Sequence, residues 1–427
     1  MVFASAKLIG SMSFHPSPLW FSRVKAPSKR IGLLGLFGIG NLGNDGSMEA
    51  MLLFLRRTCS QAELICICPQ PEKIGNIYQA STLPFGSSSA PSRWFAAVDR
   101  LFMGVPRGAA AALQATKRVR HLDLLIIPGT GALDDFATGP RGWPIGLFAW
   151  CLAAKLRGVK VAFVSIGAGP IPHPVSRWLM KSAARMASYR SYRDTVSKDF
   201  MQSIGFDVRD DAIYPDIAFK LPGPQPSKAL EGTRPLVVGV GVMTYFGWRG
   251  SGETGAAIYA SYRQKITQFV LWLLDQGYRV RILMGEETDQ RAVDDLLDSL
   301  AMERPGYSRN DVIAEPVHSL HDLMRQIAQV HVVVATRFHN IVCALKLGKP
   351  TISIGYAKKN DALMAEMGVG QFCQHIEELD VHLLVEQFEQ LLSDREAYER
   401  KIREINLVFA ERLARQEQIL SDRVLGS

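Results

Sequence analysis

Short apolar runs, each followed at once by a glycine-rich turn and then a helical pattern, recur along this chain, and that rhythm admits few folds. Residues 31–37 (IGLLGLF) run into GIGNLG, 122–128 (LDLLIIP) into GTGALDD, and VKVAFVS into IGAGP. Uninterrupted runs of this kind suit strands buried on both faces of a parallel sheet, with helices covering each face. The stretches between them carry apolar residues at helical spacing, as at Met48, Met51, Leu52 and Leu55, and supply the crossovers. Asn44 or Asp45 is the expected cap of that helix. Glycine turns at three consecutive strand ends allow backbone amides to approach a ligand along one sheet edge. The first turn resembles a dinucleotide fingerprint only loosely, because its spacing is not G-x-G-x-x-G.

The pattern is written twice. Residues 221–235 (LPGPQPSKALEGTRP) have linker composition, and beyond them LVVGVGV, YRVRILMG and VIAEP read as new strands with helices between. The expected fold is α/β: two doubly wound, Rossmann-like domains in a GT-B-like arrangement, with a C-terminal helix packing back. The expected limits are an irregular basic arm at 1–30, an N-terminal α/β domain at 31–224, a C-terminal α/β domain at 234–380 and a helical segment at 381–427. Residues 70–120, rich in Ser, Pro, Gly and Ala with an amphipathic RWFAAVDRLF patch, read as a surface insertion or a lid. Such a plan puts the ligand cleft between the domains, where the carboxyl ends of both sheets face each other.

In the second half, residues 331–356 (HVVVATRFHNIVCALKLGKPTISIGY) read as strand, turn, helix, turn, strand. Thr336 ends the first strand, Asn340 opens the helix, and Gly348 with Pro350 stops it. Arg337 and His339 then stand at a strand's carboxyl edge and a helix's amino end, where unpaired N–H groups favour anions. A guanidinium and an imidazole two residues apart suit a small substrate carrying phosphate and carboxylate. The structural alternatives are an ion pair for Arg337 and a capping role for His339.

The formal net charge of +8 admits nucleic acid, an anionic membrane surface or anionic substrates as partners. No zinc-finger spacing, RNP aromatic signature or concentrated basic helix occurs, so nucleic acid is not expected. No apolar run approaches the ~20 residues of a spanning helix. The basic arm, with Trp20, Phe21, Arg23, Lys25, Lys29 and Arg30, lacks a continuous apolar core and a cleavage site. It reads as a solvated tail, and as the candidate for peripheral contact with anionic headgroups. Cys59, Cys66, Cys68, Cys151, Cys343 and Cys373 are scattered and read as free thiols of a reducing, cytoplasmic compartment. No recognised His/Glu spacing calls for a metal, and His318 and His321 read as solvated or capping residues at a helix start.

Four motifs, in order over roughly residues 31–370, resemble the polysaccharide pyruvyl transferase family. GNLGND is similar to its glycine/asparagine opening. LDLLIIPGTGALDD is similar to its Asp-strand-Gly-Gly element, with Thr130 between the glycines. YRDTVSKDFMQSIG followed by YPDIAF is similar to its Arg-Asp-x-x-Ser…Gly…Pro-Asp pattern. ATRFHNIVCALKLGKPTISIGYAKK is similar to its Arg-x-His…Ala…Gly-x-Pro…Tyr-x-x-Lys block, the most specific of the four. One departure stands out: the residue after Tyr356 is usually acidic and here is Ala357.

The resemblance implies transfer of pyruvate from phosphoenolpyruvate onto two hydroxyls of a sugar as a cyclic ketal, in bacterial exopolysaccharide or cell-surface glycan synthesis. It implies no cofactor, a lipid-linked or oligosaccharide acceptor, and a place in the cytoplasm or at the inner membrane face. A doubly anionic donor needs several cations, for which Arg337, Arg193 and Lys359 qualify. His339 suits proton transfer, and Asp216, ahead of Asp194, is the candidate base for a hydroxyl. Tyr356, Asn41, Asn44, Gly129, Gly131 and Gly167 complete the expected substrate contacts. The alternatives are a GT-B glycosyltransferase with a nucleotide-sugar donor, for which Glu286 or Glu287 would serve the ribose, and a non-catalytic glycan-binding subunit.

Overall fold

The structure, a computed structural model, describes residues 29–86, 105–135, 139–224, 235–248, 252–308 and 310–426. Most of the basic arm, the RWFAAVDRLF patch and most of the linker lie outside the described residues.

Two all-parallel sheets carry the chain. The first runs β3-β2-β1-β4-β5-β6-β7, from β1 (Arg30–Leu34), β2 (Glu63–Cys68), β3 (Ser81–Pro84), β4 (Leu124–Pro128), β5 (Lys160–Ile166), β6 (Tyr189–Tyr192) and β7 (Ala212–Ile213). The second runs β10-β9-β8-β11-β12-β13, from β8 (Val237–Gly241), β9 (Arg279–Leu283), β10 (Val312–Ala314), β11 (Val332–Ala335), β12 (Thr351–Gly355) and β13 (Cys373–His375). Both are doubly wound, and the order reverses between β1 and β4 and between β8 and β11. The apolar runs account for this. Val332, Val333, Val334 and Ala335 are wholly buried because helices cover both faces of β11. Part of the 70–120 stretch is not an insertion: helix Pro71–Tyr78 leads into β3, which extends the first sheet by pairing with β2.

The C-terminal helix Arg395–Ile419 returns to the first domain. Asn406 Nδ2 donates to Leu345 O in the second domain at 2.8 Å. Ten residues on, Gln416 Nε2 donates to Ser165 Oγ and Ser191 Oγ under the first sheet, at 2.9 and 3.0 Å.

The first glycine-rich stretch departs from its expected form. Asn41, not Asn44 or Asp45, caps the helix Leu42–Thr58, accepting from the amides of Gly43 and Asn44. Gly43 and Gly46 therefore lie inside the helix and not in a ligand loop.

Asp45, in that helix's first turn, is buried, and its Oδ1 accepts the Gly38 amide at 2.8 Å. Burial raises its carboxyl from 3.8 to about 6, against the opposing pull of that amide and of Lys73. A carboxyl raised on folding binds its proton more tightly in the folded chain. Its stabilising contribution is complete below the unfolded value of 3.8 and is lost as pH rises through about 6. Asp45→Asn retains the acceptor for Gly38 and is expected to exceed the wild type at alkaline pH by up to about 3 kcal/mol. The two should converge only below the unfolded value of 3.8. Urea midpoints across that range check this, and a difference that does not vary with pH would refute it.

Candidate functional site

The carboxyl edges of the two sheets meet. The turn after β1 touches the turn after β9: Asn41 bridges Glu286, and the Glu287 amide donates to Gly40 O at 3.0 Å. Lys73 Nζ adds a cross-domain ion pair to Glu287 Oε1 at 2.7 Å. Helix Leu42–Thr58 lies against the second domain through its glycines. A Cβ on Gly43 would fall 1.9 Å from His339 Nδ1, and one on Gly46 2.3 Å from Leu320 Cδ1. Only hydrogen at those positions lets the two domains approach so closely. His321 and Glu49, Nε2 to Oε1 at 2.8 Å, tie the same helix across the seam, which gives His321 a partner in place of a solvated role.

Beside the seam opens a cavity of about 590 Å³. The first domain lines it with Gly131, Gly167 and Arg193, and the second with Tyr356, Lys358 and Lys359. A larger hollow of about 840 Å³ lies against Tyr278, His331 and Arg395, at the amino edge of the second sheet. Ligands of open α/β sheets bind at the carboxyl edge, so the smaller cavity is the candidate site.

Behind its wall three expected residues converge from three elements, and of these Arg193 reaches the cavity lining while Asp216 and His339 do not. Arg193 follows β6, Asp216 follows β7, and His339 lies in the first turn of helix Phe338–Lys346. Arg193 Nη1 donates to Asp216 Oδ2 at 3.1 Å, and its guanidinium lies 4.3 Å from the centre of the Phe338 ring. His339 Nε2 stands 3.7 Å from the same Asp216 oxygen, within ion-pair reach but too long for a hydrogen bond, and makes no hydrogen bond. Burial alone would raise the Asp216 carboxyl. His339, Arg193 and the Ala218 amide, which donates to Oδ1 at 2.9 Å, together hold it well below the usual carboxylate range. Gly167 gives Arg193 its place: a Cβ there would sit 2.7 Å from Nη2.

Arg337 departs from expectation. Its Nε and Nη2 donate to Asp289 Oδ2 and Oδ1 at 2.9 and 2.7 Å, and Nη1 lies 2.6 Å from Glu286 Oε2. Asp289 is fully buried. The guanidinium is thus neutralised on every nitrogen, does not line the cavity, and braces the turn after β9 against Asn41. Asp216 is likewise no open base, because its side chain is only 2% exposed and lies behind Arg193, outside the cavity lining. Asp194 caps helix Thr195–Ser203 through Ser197 N. Asn44 Nδ2 donates to Leu36 O at 3.1 Å, so Asn41 and Asn44 both hold the turn instead of facing the cavity. Gly129, with φ +57°, packs over Ser47 outside the cavity, whereas Gly131 and Gly167 line it.

Lys359 and Tyr356 are where the sequence puts them. Lys359 Nζ lies 5.0 Å from the centre of the Tyr356 ring and 5.7 Å from that of Phe338. Among the described residues neither Lys358 nor Lys359 is ion-paired with a carboxylate. Sequence reading missed Asp361 and His375, which also line the cavity. Asp361, whose carboxyl burial raises, stands in the first turn of helix Lys358–Glu366. The missing acidic residue at Ala357 was the signal to look one turn ahead, since a helix brings that turn to the same wall. Among the described residues no group of three His, Cys, Asp or Glu is placed to hold a metal ion.

No curated protein sequence matches the chain. Solved structures match its fold. A UDP-GlcNAc 2-epimerase from Neisseria meningitidis, bound to UDP-GlcNAc, superposes with TM-score 0.55 at 13% identity, covering 91% of this chain and all of that one. A glycosyltransferase from Rickettsia africae superposes with TM-score 0.56 at 12% identity, covering 92% of this chain and 99% of that one. These likenesses establish the GT-B arrangement of the two doubly wound domains, with the C-terminal helix packed back. A sequence model of the polysaccharide pyruvyl transferases matches residues 41–358, which run from the cap of the first long helix to the cavity lysines. The chain belongs to the polysaccharide pyruvyl transferase family, a family of glycan-modifying transferases.

Proposed function

We propose that the protein transfers the pyruvyl group of phosphoenolpyruvate onto two hydroxyls of one glycan sugar, forming a cyclic ketal and releasing phosphate. The observation that carries this reading is the Arg193–Asp216–His339 cluster, which lies behind the wall that Arg193 lines in a cavity whose two lysines have no carboxylate ion-pair partner among the described residues. Lys358 and Lys359 supply the positive charge that a phosphate and a carboxylate on one small molecule require, while Arg193, paired with Asp216 and Asp194, offers donors at the cavity wall. His339 delivers a proton to the methylene carbon and takes up the proton of the sugar hydroxyl that adds at C2. Phosphate then leaves, the second hydroxyl closes the ring, and its proton is released. Asp216 keeps the imidazole oriented and offsets the charge of its protonated form, which makes it a positioning residue. Of the carboxylates at the cavity wall, Asp134, Asp361 and Glu378, Asp361 is the one whose proton affinity burial raises, which suits it to take the proton of the closing hydroxyl. The setting is the cytoplasmic side of bacterial exopolysaccharide or cell-surface glycan assembly, with a lipid-linked or oligosaccharide acceptor.

A nucleotide-sugar donor finds less support. Glu286 is bound by Arg337 and Glu287 by Lys73, so neither is free to hold a ribose. Thermal denaturation separates the two readings. Phosphoenolpyruvate at about 100 times its Kd should stabilise the wild type by about 2.7 kcal/mol, and Lys359→Met should lose most of the shift. Stabilisation by UDP-GlcNAc but not by phosphoenolpyruvate would replace this proposal with the glycosyltransferase reading.

A further inference from the structure

Three neighbouring helices cover the outer face of the first sheet: Val105–Val119, Trp143–Leu156 and Pro174–Arg185. None of them contains an Asp or a Glu. Their outward side chains are also unusually apolar. Leu113, Leu156, Val175 and Trp178 are 60%, 71%, 49% and 59% exposed. On the middle helix the half-buried Phe148 and Leu152 continue the stripe that ends at Leu156, at helical spacing. Phe148 and Trp178 join that helix to the next, ring centres 5.4 Å apart. Around them Lys117, Lys155, Arg157 and Arg185 are exposed, and among the described residues none has an ion-pair partner.

The long C-terminal helix shows what an ordinary surface of this protein looks like. There Leu407 and Val408 are exposed too, but among Arg403, Glu404 and Glu411, with both signs interspersed. On the three helices the apolar residues adjoin and every charged side chain is positive. That pairing complements a sheet of anionic headgroups over hydrocarbon, with tryptophan suited to the boundary between them. It does not suit a second copy of this chain, because a two-fold contact would set two wholly basic faces against each other.

We propose that this face docks the protein on the surface of a membrane containing anionic lipid. No described helix is long and apolar enough to cross a membrane, so the contact is peripheral. Helix Pro174–Arg185 begins four residues beyond Pro170, which lines the cavity, so the surface holding Trp178 lies close to the cleft mouth. A membrane-held acceptor would then arrive beside the site. The docking itself does not depend on the reaction, and its test involves no turnover.

Flotation of the full chain with vesicles of phosphatidylcholine, with and without phosphatidylglycerol, tests it. The wild type should float with the mixed vesicles, stay behind with phosphatidylcholine alone, and be released by added salt. Trp178→Glu combined with Leu156→Glu should lower the bound fraction about tenfold or more. Lys155→Glu with Arg157→Glu should weaken binding to the anionic vesicles while sparing every apolar side chain. Leu407→Glu with Val408→Glu should change nothing. Failure of the wild type to float, or equal flotation of all these variants, would overturn the proposal. So would a dimer in sedimentation without vesicles that Trp178→Glu and Leu156→Glu dissociate, because a second copy would then be the occupant.

Discussion

His339→Gln is expected to lower phosphate release from phosphoenolpyruvate, measured with a glycan acceptor, by about 10²–10⁴-fold, the usual range for a lost proton-transfer group. The fold should survive. His339 Nε2 makes no hydrogen bond, and the glutamine amide fills a similar volume over Gly43. Asp216 loses one partner but keeps Arg193 and the Ala218 amide, so the urea midpoint should fall only in part while turnover collapses. Asp216→Asn gives a different signature, since it leaves Arg193 without its nearest carboxylate and should lose both stability and rate. Near wild-type turnover in His339→Gln would remove the imidazole from the chemistry.

Arg337→Ala should behave in the opposite way. Deleting this guanidinium strands Asp289, which is fully buried, and also frees Glu286. Removing one partner of a buried pair typically costs about 3–5 kcal/mol, because the charge left behind keeps its desolvation penalty. The Arg337→Ala chain should thus be hard to recover folded, and whatever folds should bind phosphoenolpyruvate with little change. Adding Asp289→Ala removes the stranded charge and should restore part of the lost stability, although Thr244 N then loses its acceptor. Urea denaturation of the single and double variants decides the matter. A stable Arg337→Ala chain with weakened phosphoenolpyruvate binding would return Arg337 to the role of anion ligand.

The contrast between these neighbours shows where sequence reading stops. Arg337 and His339 share one motif, two residues apart, at the start of one helix. Their different fates depend on Asp289, 48 residues upstream, and on Asp216, in the other domain. Nothing in the local pattern says which carboxylate lies opposite which cation. Asp361 escaped notice for a related reason, since its importance follows from the direction of a helix that the local sequence does not orient.

Apolar runs, glycine turns and helical spacing belong to single segments, so their meaning survives without knowledge of neighbours. From them follow the parallel sheets, the doubling of the domain and the edge on which ligand chemistry falls. Glycine is ambiguous in this respect. At 131 and 167 it opens backbone to a cavity; at 43 and 46 the same residue is a flat spot against which a whole domain closes. Pairing of charges, burial of a carboxylate and contact between distant faces are properties of positions in space, and they exist only once the chain has brought those positions together.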